Sequence, residues 1–195
     1  MSTKERILSA ALELFNTEGV GGQSAVDIAS ALSISAGHLY YHFKGKPEIL
    51  AELMGRHREE IDLVVESLRD AVAADDAGLE SLWTHVHILV EETWDARFFW
   101  REPALALSHP VLAEHARHIL VAIRAVISEA FAALQDRNLI TVGPEVREGL
   151  AYQIAAGVVF HIHALELEDP TESPRERIAR AAAQIMIPAS GLAAA

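Results

Sequence analysis

The chain has 195 residues, 51% of them hydrophobic, no cysteine and a formal net charge of −12. Without cysteine there is neither a disulfide framework nor a thiolate metal site. The opening MSTKERILSAALELF is too polar for a secretory leader and no apolar run reaches the ~18 residues of a membrane crossing, so a soluble cytoplasmic protein with no membrane association is expected.

Charge read by region leaves nucleic acid open as a partner. Residues 1–60 hold six basic against eight acidic side chains, and between Tyr40 and Arg58 the cations Lys44, Lys46, Arg56 and Arg58 outnumber Glu48 and Glu52. Phosphate contact is local, acting over roughly a Debye length of ~8 Å. The acidic remainder keeps the molecule soluble and limits indiscriminate binding.

In chain order, Ser2-x-x-Glu5 has capping-box spacing and opens a helix to about Glu18, with Ile7, Ala11, Leu14 and Phe15 as its buried stripe and Gly19 as its stop. Gly21 and Gly22 make the next link flexible. Ser24-x-x-Asp27 is a second capping box, followed by Ile28, Ala29 and Leu32 at helical spacing. Ser33 and Ile34 break the pattern, and Ser35 caps a third helix whose inward residues are Leu39 and Phe43. Its outward face carries Ala36, Gly37, His38, Tyr41 and His42. Small residues in its first turn let the backbone approach a partner closely, which suits a helix laid in the major groove of DNA. Tyr40, His42, Lys44 and Lys46 follow within seven residues, and Pro47 sets Lys46 at a helix N-terminus, a natural seat for a phosphate.

From Ile7, Ala11 and Phe15 through Gly19, Ser24, Ile28 and Ala29 to the run Leu39-Tyr40-Tyr41-His42-Phe43-x-x-Lys46, the first quarter of the chain resembles the tetracycline-repressor (TetR) family of bacterial transcription regulators. The resemblance implies an all-α protein of about nine helices: a helix-turn-helix DNA-binding domain at 1–46 and an effector-binding and dimerisation domain at 47–195. It implies a homodimer that binds double-stranded operator DNA, most simply a repressor released by a small apolar or amphipathic effector. It carries Ser24, Tyr40 and Lys46 over as phosphate contacts, with Tyr41 and His42 in the same layer. His38, beside Ser35, Ala36 and Gly37, is set to read base edges. It also leads us to expect glycine where Ser33 stands, so Ser33 should be left-handed at a cost of about 1 kcal/mol.

The fourth helix is expected from Pro47 to about Ala74, its inner side including Leu50, Leu53, Ile61, Val65 and Leu68. Gly55 within it is either a tolerated surface glycine or a pliant point. Asp75, Asp76 and Gly78 break the chain before a fifth helix to about Trp94, with Leu82, Trp83, Val86, Val90 and Trp94 on one side, and Ser81, His85 and Glu92 on the other. The dense Arg97-Phe98-Phe99-Trp100 precedes a short helix after Pro103 and a long one from Pro110.

The helix from about Pro144 to Leu167 is apolar nearly all round, so it must be covered on two sides. With an amphipathic last helix from about Arg175 to Ile187, it reads as a dimerisation pair forming a four-helix bundle with its copy. The expected contacts are Ile154, Val158, Ile162, Ile178, Ala182 and Ile185, with Ala155, Ala156 and Gly157 permitting close approach. The Ala-rich tail after Pro188 is expected to be disordered.

An effector pocket in the larger domain would draw its lining from Trp83, His87, Trp94, Phe98, Phe99, Trp100, Phe131, Tyr152, Phe160 and His161; the competing reading is that most of these are core. Ten histidines without cysteine or an HExxH string, His115 and His118 being three apart, do not make a metal site. No Gly-rich phosphate loop, nucleophile elbow or acid/base pair supports an enzyme, and no cofactor is expected. The remaining alternatives are a DNA-binding regulator with no effector and a helical ligand-binding protein with a vestigial DNA module.

Overall fold

The computed structural model describes residues 1–74 and 78–192. Among them are ten helices and no strand: α1 (Thr3–Glu18), α2 (Ala25–Ala31), α3 (Ala36–His42), α4 (Lys46–Ala73), α5 (Leu79–Asp95), α6 (Arg97–Trp100), α7 (Pro103–Ser108), α8 (Pro110–Asp136), α9 (Pro144–Glu168) and α10 (Pro174–Ser190). The four-residue α6 is the element the sequence did not announce: its stretch reads as an aromatic cluster and carries no cap. The expected break at Asp75 and Asp76 lies outside the described residues, as does the end of the Ala-rich tail, 193–195. Helix α10 itself continues through Pro188 to Ser190.

The caps behave as short polar side chains should. Ser24 closes a full box, its Oγ accepting from Asp27 N at 3.3 Å while Asp27 Oδ2 accepts from Ser24 N at 2.8 Å. At α1 only half of the expected box forms. Ser2 Oγ accepts from Glu5 N at 3.2 Å, but the Glu5 carboxylate is drawn away to Arg56 in a bidentate pair at 2.7 and 2.8 Å. Ser33 has φ +55°, the left-handed conformation expected of it.

The chain divides into two compact units, Met1–Arg58 with Asp95–Ala116, and Glu59–Trp94 with Arg117–Ala195. The division between these units falls inside α4, and the first unit also takes in α6, α7 and the start of α8. Burial gives the reason. Ile49, Leu50, Leu53 and Met54 of α4 are enclosed in the first unit together with Ile7, Leu8, Phe15, Ile28, Leu39, Phe98, Phe99 and Trp100. The Trp100 indole N–H donates to His57 Nε2 at 3.1 Å, and the Phe15 and Phe98 rings lie 5.7 Å apart.

In the second unit Ile61, Val65, Leu68, Leu82, Val86, Ile119, Ile123, Phe131, Val158 and Met186 are buried. His85, expected on the wet side of α5, is buried instead. Both ring nitrogens are satisfied, Nδ1–H on Ser81 O at 2.7 Å and Nε2 by the Ser67 hydroxyl at 3.1 Å, which removes the usual penalty for hiding an imidazole. Thr93, fully buried, joins α5 to α9 through Val158 O at 3.0 Å. Helices α8 and α9 are long and apolar enough to cross a membrane by length and composition, as core helices also are, and each buries one side against its own chain. A Cβ at Gly55 would meet nothing within 4 Å, as for a surface glycine.

Candidate nucleic-acid interface

The first unit builds its exposed face on α3. Ser35 Oγ accepts from His38 N at 3.1 Å, starting the helix where the turn releases it, and Leu39 and Phe43 pin the opposite side into the core. What is left outward is Gly37, His38, Tyr40 and Tyr41, with Ala36 and His42 half-buried. Tyr41 is 84% exposed, far more than a side chain with a packing role would be. The rings of His38 and His42 lie 5.4 Å apart, and those of Tyr41 and His42 5.1 Å apart, so the three form one aromatic and imidazole surface along the helix. Hydroxyl and imidazole groups offer donors to phosphate oxygens or base edges, and the Gly37 backbone allows close approach.

Two expected phosphate residues are engaged by their own chain. The Ser24 hydroxyl donates to Asp27 Oδ2 at 2.6 Å, and these bonds hold the Asp27 carboxyl below its ordinary range. Lys46, expected to point at phosphate, donates to Val20 O at 3.0 Å and Gln23 O at 2.7 Å. An ammonium group has three donors, and two of Lys46's are spent on the α1–α2 loop. Lys4 and Arg56 are likewise occupied, by Glu52 and by Glu5 with Glu52. Lys44 is exposed beside α3, its backbone N–H fixed on Glu48 Oε2 at 2.6 Å.

This arrangement is matched by known sequences. The model of bacterial regulatory proteins of the tetR family fits residues 7–53, and that of a TetR bacterial transcriptional repressor fits residues 63–190, well over half of the chain. The chain belongs to the TetR family. It is a DNA-binding transcriptional regulator and not an enzyme. Among relatives, it is 33% identical over 67 residues to the probable HTH-type transcriptional regulator YttP of Bacillus subtilis, and 31% identical over 84 residues to the HTH-type transcriptional regulator SrpR of Pseudomonas putida. Those alignments cover 34% and 43% of this chain and span only 32% and 36% of the two relatives. A TetR-family regulator from Marinobacter aquaeolei superposes with a TM-score of 0.71 at 28% identity, covering 95% of this chain and 99% of that one. The fold also matches KstR2 of Mycobacterium tuberculosis, with a TM-score of 0.75 at 16% identity, over 100% of this chain and 96% of that one.

The residues proposed for an effector site scatter in this TetR-family regulator. Phe98, Phe99 and Trp100 are core of the DNA-binding unit, and Phe131 is core of the other. Trp94 is capped by the Arg177 guanidinium, 5.5 Å from its ring. Tyr152 and Phe160 are exposed, and His161 bonds Gln184 Oε1 at 2.6 Å. Trp83 and His87 share a cleft of about 410 Å³ with Thr84, Ile88, Ala179, Ala182 and Ala183 between α5 and α10. Small residues on α10 make the room, and His87 Nε2 is 3.5 Å from Glu91.

The six residues expected at a dimer interface face inward. Ile154, Val158, Ile162, Ile178, Ala182 and Ile185 are all buried within one chain. The close approach permitted by Gly157 is intramolecular, since a Cβ there would stand 3.0 Å from Ile185 Cγ1. The outward apolar residues of these helices include Val146, Tyr152, Phe160, Leu167 and Ile187. Sequence reasoning also missed Asn16 and Glu102, whose hydrogen bonds order the first unit; their signal was weak, a polar residue beside Phe15 and a glutamate before Pro103.

Proposed function

We propose that this regulator binds operator DNA as a homodimer, placing one α3 from each copy in successive major grooves, and that a small apolar or amphipathic ligand releases it as a repressor is released. The observation that carries the DNA reading is the exposed His38, Tyr40, Tyr41 surface above a fully buried Leu39 and Phe43. Two such helices read sites about 34–36 Å apart. Ala36 and Gly37 offer no side-chain hydrogen bonds, so base preference rests on His38, on contacts with thymine methyls and on DNA shape. The dimer contact uses α9 and α10 through Tyr152, Phe160 and Ile187, large apolar groups that a monomer would leave wet. The ligand reading is supported by the cleft beside Trp83 and His87, an aromatic wall with one polar handle. Such a ligand acts only through its different affinities for the DNA-binding and released forms.

The test is selection of duplexes from a random library by the purified protein, followed by footprinting. Two protected half-sites one helical turn apart are expected, and His38→Ala should change the preferred bases. Equal loss on selected and random duplexes would overturn the base-reading role of His38. A regulator without an effector is favoured by one observation, that four of the ten aromatic and histidine candidates, Phe98, Phe99, Trp100 and Phe131, are solid core. A screen of apolar compounds in which none releases the protein from DNA and none moves the tryptophan fluorescence would decide for it.

A further inference from the structure

The loop between α1 and α2 is held from two sides by groups remote in sequence. The Val20 N–H donates to Glu102 Oε1 at 3.0 Å, and the Val20 carbonyl accepts from Lys46 Nζ at 3.0 Å. Lys46 also reaches Gln23 O at 2.7 Å, and the Val20 side chain is buried. One residue's backbone thus bridges a carboxylate and an ammonium group. Charge-assisted bonds of this kind are about twice as strong as neutral ones. The geometry on the N-terminal side fits the same purpose: Gly19 has φ +81°, and a Cβ there would lie 3.3 Å from Glu102 Oε1. On the C-terminal side the next residue after Gln23 is Ser24, the cap that starts α2 and hence the helix-turn-helix.

Glu102 does not stand alone. Its neighbour Arg101 donates from Nη1 to Asn16 O at 2.7 Å. The Asn16 amide donates to Asp95 O at 2.7 Å and accepts from Phe98 N at 2.9 Å. Residues 95–102 are therefore laced along residues 16–20, and the lacing ends on the loop that launches α2.

We propose that Glu102 and Lys46 are positioning residues for operator binding, gripping opposite sides of the Val20 backbone so that α2 and α3 are held in one orientation on α1 and α4. Neither needs to touch DNA. Lys46 in this role differs from a phosphate-binding lysine, and Glu102 is an acidic residue that strengthens binding to a polyanion. The proposal rests on the reading of α3 as the DNA-facing helix.

The experiment uses the full-length protein and a fluorescein-labelled duplex selected by the wild type, with anisotropy measured over a salt series and amide exchange followed at Val20. On charge alone Glu102→Ala, by removing a negative group, would tighten binding. The clamp requires the reverse, a weakening of about tenfold, with faster exchange at Val20 and most of the loss restored in Glu102→Gln, whose amide oxygen still accepts. Lys46→Met should weaken binding while leaving the slope of log K against log salt unchanged, where a lost phosphate contact would remove about 0.9. Tighter or unchanged binding by Glu102→Ala, or a slope lowered by about one in Lys46→Met, overturns the proposal. If Glu102→Ala loses its helical signal, Lys46→Met decides by the criterion already given for it. Tyr41→Ala separates the two readings. Binding lost there but kept in Glu102→Ala overturns this one alone, while binding kept in Tyr41→Ala overturns the DNA-facing α3 and the clamp with it.

Discussion

His57 offers a pH-dependent prediction whose size follows from its surroundings. The imidazole is buried in α4, its Nε2 accepts the Trp100 indole N–H, and Nδ1–H has no hydrogen-bond partner among the described residues. Burial pushes its pKa down from the ordinary 6.5 to about 4. A proton added at Nε2 would face the indole N–H and place a charge in an apolar core, so the fold favours the neutral ring. The unfolded chain binds that proton near pH 6.5 and the folded chain near pH 4, so the contribution is intact above pH 6.5 and is lost as pH falls towards 4. With 1.36 kcal/mol per pH unit, lowering the pH from about 7.5 to about 5 should remove about 2 kcal/mol of unfolding free energy. The assay is urea denaturation at both pH values, read by tryptophan fluorescence, on wild type and on His57→Gln. The variant keeps an oxygen that can accept from Trp100 and has nothing to titrate, so its baseline is lower but its loss between the two pH values is smaller by the same ~2 kcal/mol. Equal losses in the two proteins would refute the reasoning.

Ser33→Gly should raise the melting temperature by a few degrees, because relief of a left-handed φ of +55° is worth about 1 kcal/mol, less a few tenths for glycine's freer unfolded chain; a lower melting temperature by calorimetry would contradict the strain. Asn16→Leu fills the same space but strands Phe98 N–H and Asp95 C=O, and should cost about 2–4 kcal/mol by denaturant titration. Phe160→Asp puts a charge on the outward face of α9 and should convert a dimer to a monomer by sedimentation at micromolar concentration, whereas Ile154→Val, inside the chain, should leave the association state unchanged. Trp83→Ala should abolish any ligand-induced release from DNA without weakening DNA binding itself.

The residues Ser24, Asp27, Ser33, Ser35, Leu39 and Phe43 show how far a sequence reaches by itself. Caps and apolar spacing are interactions within three or four residues, so the helix-turn-helix, its outward side chains and the all-α class are legible in the string, while the left-handed turn at Ser33 is expected from the resemblance to the family. Lys46, Ile154, Val158 and His57 show what only the tertiary structure decided. Whether a lysine meets phosphate or a loop carbonyl, whether an apolar helix face meets a second subunit or its own neighbour, and whether an aromatic run lines a cavity or fills a core depend on groups 20 to 80 residues away. Helical periodicity states which side of a helix is apolar; it carries no information on what covers that side, because the partner surfaces of α1, α4 and α6, or of α9 and α10, are brought together only by the folded chain.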